Sequence, residues 1–139
     1  MSSSENLKQK VKQLAETFNN PQKREISYFD FYDDSLITHG FPPNLSNDKQ
    51  GFKQFIHFLW KAFPDINITF EDIIVDENKV AGRYILSGTH KGEFMGLQPT
   101  DNQFKVDGMT VFYFQNAKIV KRWNLVDMVA LIEQLKSRS

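Results

Sequence analysis

The chain has 139 residues and not one cysteine, which excludes disulfides, thiolate metal sites and a cysteine nucleophile. It also lacks a long apolar run, and nothing approaches the roughly 20 residues that a helix needs to span a bilayer. No charge of one sign is in excess: Lys+Arg is 17 and Asp+Glu is 17, for a net charge of zero. Neither nucleic acid nor an anionic membrane is therefore expected as a partner. The first residues, Met1-Ser2-Ser3-Ser4-Glu5-Asn6, lack the basic segment and apolar stretch of a secretory leader, so a cytoplasmic location is the default. Histidine is scarce, and His39, His57 and His90 have none of the spacings of a common metal site. The glycines at 88, 92 and 96 form neither a dinucleotide fingerprint nor a phosphate loop, and a GxSxG elbow is missing. No metal and no cofactor are expected.

What the chain does have is phenylalanine, 13 of them, and aromatics make up 14% of the residues. Such content fits a Phe-rich core, and equally an aromatic-lined cavity for a flat or apolar ligand.

Periodicity supplies the elements. Leu7, Val11, Leu14, Ala15 and Phe18 recur at helical spacing, and Asn19-Asn20-Pro21 ends that helix. A second short helix is expected within 22–34, followed by a short strand at Leu36-Ile37-Thr38-His39. Gly40 to Asn47 is a loop. Phe52, Phe55, Ile56, Leu59, Trp60 and Phe63 form the clearest apolar stripe, with Asn47 or Asp48 as cap and Pro64 as stop. Strands follow at 66–75, 80–89, 104–114 and 118–125, joined mostly by short polar turns, which predicts an antiparallel meander. Met128, Leu131, Ile132 and Leu135 mark a last helix. Helices first and strands afterwards is the α+β pattern, and the absence of a linker or repeat predicts one domain over 1–139, with residues 1–6 disordered. A curved sheet of this kind wraps the aromatic helix into a cone with one open end.

Four stretches carry a family resemblance. Gly88-Thr89-His90-Lys91-Gly92-Glu93-Phe94-Met95-Gly96-Leu97-Gln98-Pro99-Thr100 resembles the GTHxGxFxGxxPT signature of the SnoaL-like polyketide cyclases. It follows Val80-Ala81-Gly82-Arg83-Tyr84, and Ala62-Phe63-Pro64-Asp65 resembles the AFPD that ends the family's central helix. Lys118-Ile119-Val120, Trp123 and Asp127 resemble its closing pattern. The resemblance implies the nuclear transport factor 2-like cone, usually a homodimer through its sheet. It also implies an ester or aldol cyclase, or a related lyase or isomerase, working by acid–base chemistry without metal or cofactor on a small hydrophobic or polyketide-like ligand. There are departures. Ala117 stands where many members have Gly. Arg122-Trp123-Asn124 replaces a His-Trp-Asp triplet, and Tyr113 stands where known cyclases of the family have a His.

Asp127 is the first candidate acid/base, and its other reading is the cap of the last helix. His39, with a reference pKa near 6.5, suits proton shuttling, or simply ends its strand on backbone bonds. Arg83 lies between Ala81 and Ile85, on a strand face that points either into the cavity, where it binds an enolate or carboxylate, or into solvent. Tyr113, Trp60, His90, Asn124 and Trp123 complete the candidate substrate-binding set. His90 reads equally as a loop-shaping residue, and His57 as a helix-boundary residue. Lys118, Lys121 and Arg122 read as the basic outer face of a strand. The alternative to an enzyme is a non-catalytic ligand-binding or dimeric interaction protein on the same fold.

Overall fold

Residues 3–42 and 44–137 are described in the computed structural model of the chain. Helix α1 (Ser3–Phe18) buries Val11, Leu14 and Phe18 along one face. It begins at Ser3, so residues 3–6 are helical where disorder is expected, and Met1 and Ser2 lie outside the described residues. After the short helix α2 (Arg24–Ser27), a single 3₁₀ turn, Tyr28–Phe31, leads into strand β1 (Tyr32–His39). Helix α3 (Lys49–Ala62) starts at Asp48, whose Oδ1 accepts from Gly51 N at 3.0 Å and from Ser46 Oγ at 2.7 Å. Its apolar stripe is buried from Phe52 to Trp60.

Strands β2 (Asn67–Asp76), β3 (Lys79–Thr89), β4 (Gln103–Gln115) and β5 (Lys118–Val126) form the expected meander, and helix α4 (Met128–Lys136) closes the chain. The sheet order is β1-β5-β4-β3-β2. One correction concerns β1, which pairs with β5 in parallel, so the sheet is mixed rather than wholly antiparallel. The connection from β1 to β2 passes through α3, and this long crossover frees β1 to join the far edge in the same direction as β5. Edge strand β2 is closed in part by Asn19, whose side chain donates to Ile68 O at 2.9 Å and accepts from Ile68 N at 2.7 Å.

The signature stretches serve the scaffold. The carboxylate of Asp65, just after α3, accepts from Thr89 N and from Thr89 Oγ1, each at 2.7 Å. The amides of Lys91 and Gly92 donate to Ala62 O, which ties the β3–β4 connection to the end of α3. The β4–β5 turn places Asn116 and Ala117 at φ of 50° and 66°, a left-handed pair that a glycine adopts more easily.

Candidate active site

Strand alternation decides what faces the interior. On β3, Val80, Tyr84 and Leu86 are buried; on β4, Val106, Thr110 and Phe112 are. In β5 the alternation breaks. Phe114 pairs with Ile119 but Tyr113 pairs with Lys121, so Val120 is an extra residue. This bulge inverts the parity downstream, and Arg122 and Asn124 turn inward while Trp123 and Leu125 turn outward. Arg122 is thus buried, which corrects its assignment to an outer basic face.

Arg122 is the centre of the interior polar group. Its Nε donates to Thr110 Oγ1 at 2.9 Å. Its Nη1 donates to Tyr32 OH at 2.8 Å and to Tyr28 OH at 3.2 Å, and these two hydroxyls are 2.8 Å apart. Its Nη2 donates to Asn124 Oδ1 at 3.4 Å, and Tyr84 OH reaches the same oxygen at 2.7 Å. An arginine can only donate, so Asn124 must present its oxygen here, and Tyr84 must therefore be a donor as well. The guanidinium also lies 4.6 Å from the centre of the Phe112 ring.

No carboxylate pairs with Arg122 among the described residues. Burial works against its charge, but the oxygens of Tyr32, Tyr28 and Tyr84 outweigh that, and its pKa stands above the usual arginine value. Burial pushes the Tyr32 hydroxyl well above its usual range despite the opposing pull of Arg122, and burial raises Tyr84 too. The site therefore holds the Arg122 cation among hydroxyls and an amide, with no carboxylate beside it among the described residues.

This group forms one wall of a cavity of about 60 Å³. Tyr28, Tyr84, Arg122 and Asn124 are its polar lining; the rest is apolar, including Phe41, Phe55, Leu59 and Phe94. None of the described lining residues is an Asp, Glu or His. Gly40 also lines it at φ +84°, with its Cβ direction only 2.0 Å from Asn124 O, so any side chain there would collide with the strand that carries the site. Pro42, Phe55 and Phe94 line both the cavity and an outer groove of about 320 Å³ that includes Phe58 and Lys61.

The other candidates are dispersed. Asp127 caps α4 and is exposed: its Oδ1 accepts from Ala130 N at 3.0 Å, and Oδ2 has no hydrogen-bond partner among the described residues. Its neighbours Val126 and Met128 line the cavity. His39 lies flat on Trp123, ring centres 4.1 Å apart, on the outer face of the sheet. Arg83 also faces outward, 2.9 Å from Asp72 and 3.7 Å from Asp107, which is the solvent-facing of its two readings and corrects its place in the substrate-binding set. Tyr113 is on the same face between Lys79 and Lys121. Trp60 is buried among aromatic side chains beneath Arg24 and does not line the cavity. His90 is fully buried against Phe63, with Nδ1 3.1 Å from Thr100 Oγ1. His57 packs on Phe29 and Trp60 at the exposed rim of α3. Among the described residues no cluster of three or more His, Asp or Glu could hold a metal ion. Of the candidate set, then, only Asn124 lines the cavity, beside Arg122, Tyr28 and Tyr84, which sequence reasoning missed, and Asp127 stands between two lining residues. The missed signal lay in the strand faces: Val80, Gly82, Tyr84 and Leu86 are the more apolar set of β3, and the inner one.

Comparison with solved structures gives the same fold. The chain is 26% identical to a proposed polyketide cyclase from Acidithiobacillus ferrooxidans, with 98% of each chain covered and a TM-score of 0.79. It is 25% identical to IdmH, a proposed polyketide cyclase from Streptomyces antibioticus, covering 94% of this chain and 98% of that one at a TM-score of 0.77. AclR, a proposed hydroxylase from Streptomyces galilaeus, superposes at 0.84 with 23% identity, 96% of this chain and 82% of AclR being covered. No curated protein matches the chain. The profile of the SnoaL-like polyketide cyclases matches residues 8–135, nearly the whole chain, which therefore belongs to that family.

Proposed function

We propose that the chain is a cofactor-independent cyclase, or a related lyase or isomerase, that applies acid–base chemistry to a small, carbonyl-rich hydrophobic substrate. The observation that carries this reading is the desolvated Arg122, ringed by Tyr28, Tyr84 and Asn124 at one wall of an apolar cavity. Fixed donors in a dry site are what a carbonyl oxygen needs as it becomes an enolate. Asp127 is proposed as the acid/base: Oδ1 holds the helix cap, Oδ2 is left for the substrate, and both flanking residues line the cavity. In an aldol closure Asp127 takes the proton from the carbon beside the polarised carbonyl. The enolate carbon then attacks a second carbonyl carbon of the same molecule, and the new alkoxide recovers the proton from Asp127. A homodimer formed through the outer sheet face is part of the same proposal.

Asn caps a helix as well as Asp does, so Asp127→Asn removes the proton acceptor and keeps the cap. The measurement is hydrogen–deuterium exchange at the α-carbon of a panel of small aromatic ketones and keto acids, followed by proton NMR. We expect exchange above buffer with the wild type and a loss on the order of 10²-fold or more in Asp127→Asn. Unchanged exchange in that variant removes Asp127 from the role. Exchange no faster than buffer across the panel, with ligands nonetheless bound, sinks the enzymatic reading and leaves a binding protein.

A further inference from the structure

A buried guanidinium with no counter-charge is an unfavourable feature, because an ion removed from water is destabilised unless a partner offsets the loss. Arg122 is 5% exposed, and among the described residues no carboxylate reaches it. Its neighbours Thr110, Tyr28, Tyr32, Tyr84 and Asn124 offer hydroxyls and an amide, and none of them is a carboxylate. They satisfy hydrogen bonds without neutralising the charge. The donor count sharpens this. A guanidinium has five N–H groups, and four are directed at Thr110, Tyr28, Tyr32 and Asn124. The fifth, on Nη2, has no acceptor among the described residues. Asn124 gives its oxygen to Arg122 and Tyr84, and its Nδ2 likewise has no acceptor among the described residues. The site therefore holds one unneutralised positive charge and unspent N–H donors on two adjacent side chains that both line the cavity.

We propose that the ligand itself supplies the missing charge: the cavity takes a carboxylate-bearing ketone, a monoanion with a flat apolar body. The carboxylate accepts from Arg122 Nη2 and Asn124 Nδ2. The cavity of about 60 Å³ holds the carboxylate and carbonyl end, and the apolar body runs past Phe55 and Phe94, which also line the outer groove of about 320 Å³; the hydroxyl of Tyr28, whose pairing with Tyr32 uses only one of their two hydrogens, serves the ketone oxygen. The presence of Asn rather than Asp at 124 is essential to this, since a carboxylate at that position would close an internal ion pair and cancel the attraction. The inference rests on the reading of the cavity as the substrate site and names the substrate class.

The test is binding, measured by calorimetry at pH 7.5 with 2-naphthoate and with its methyl ester and primary amide, which share the body and lack the charge. The wild type should bind the acid at least tenfold more tightly than either neutral analogue. Arg122→Met should abolish that preference. Asn124→Asp, nearly identical in shape, should abolish it as well while circular dichroism shows an intact fold; if Arg122→Met does not fold, this variant decides alone. Equal binding of acid and ester by the wild type, a preference that survives in Asn124→Asp, or no acid bound at millimolar concentration each overturns the proposal. The two readings fail separately. Acid preference without α-proton exchange sinks only the enzymatic one, and exchange on neutral ketones without acid preference sinks only this one.

Discussion

The polar group in the cavity depends on residues too small to take part in it. Gly108 sits on β4 beneath the ring of Tyr84: a Cβ there would lie 2.3 Å from Tyr84 Cζ and 2.5 Å from its hydroxyl oxygen. The ring is held between β3 and the core and cannot yield by a simple rotation of a flexible tip. Gly108→Ala should therefore move Tyr84 off Asn124, leave that amide oxygen with only the long bond from Arg122, and cost about 1–3 kcal/mol by overpacking. Urea denaturation measures this, and an unchanged midpoint would show that the ring is not constrained as described. The same residue scale explains what the sequence hid. Alternation from Ile119 puts Lys121 and Trp123 inside and Arg122 outside, and only the extra residue Val120 reverses this. A bulge is decided by how two strands meet, so it is not visible in either strand alone. Arg83 lies on the less apolar face of β3, opposite Val80, Tyr84 and Leu86, but Ala81 and Ile85 on either side of it make the contrast between the two faces weak.

At the scale of elements the sequence was more legible, because helices and turns are encoded locally. The stripe from Phe52 to Trp60, its cap and its stop at Pro64 all lie within one segment, and α3 appears where they place it. The parallel pairing of β1 with β5 was not legible, since it depends on a contact across more than 80 residues. Asp48 allows the cap to be tested. Its bonds from Gly51 N, first, and from Ser46 hold its carboxyl below the ordinary value of 3.8. A pKa depressed in the folded state means that the contribution to stability is complete above the unfolded value and is lost as pH falls through the folded one. Between about pH 4 and pH 2 the wild type should lose melting temperature faster than Asp48→Asn, whose cap does not titrate. Parallel melting curves for the two proteins across that window would show that this cap is not coupled to folding.

At the scale of the whole molecule, none of the described helices covers the outer face of the sheet. One row runs in register across all five strands: Ile74, Ala81, Val111, Trp123 and His39. The adjoining row adds Met109 and Leu125, and Ile74, Met109 and Leu125 are each more than 60% exposed. Single exposed apolar residues are ordinary, but a contiguous band of them is what the homodimer proposed above would cover. The charges on either side of the band suit the proposed second copy of this chain. On one flank Arg83 is shared by Asp72 and Asp107, which leaves a negative excess. On the other, Lys79 and Lys121 flank Tyr113, with Asp76 the only acid in register, which leaves a positive one. A two-fold axis through the band would lay each flank on the opposite flank of the partner, as a self-complementary interface requires. Leu125→Lys places a charge in the middle of the band without touching the cavity, because Leu125 faces away from Asn124 and Arg122. Light scattering should give twice the chain mass of 16.2 kDa for the wild type and the single mass for this variant, with melting behaviour otherwise retained. A wild type that scatters as a monomer at tens of micromolar would leave the band without a function in self-association.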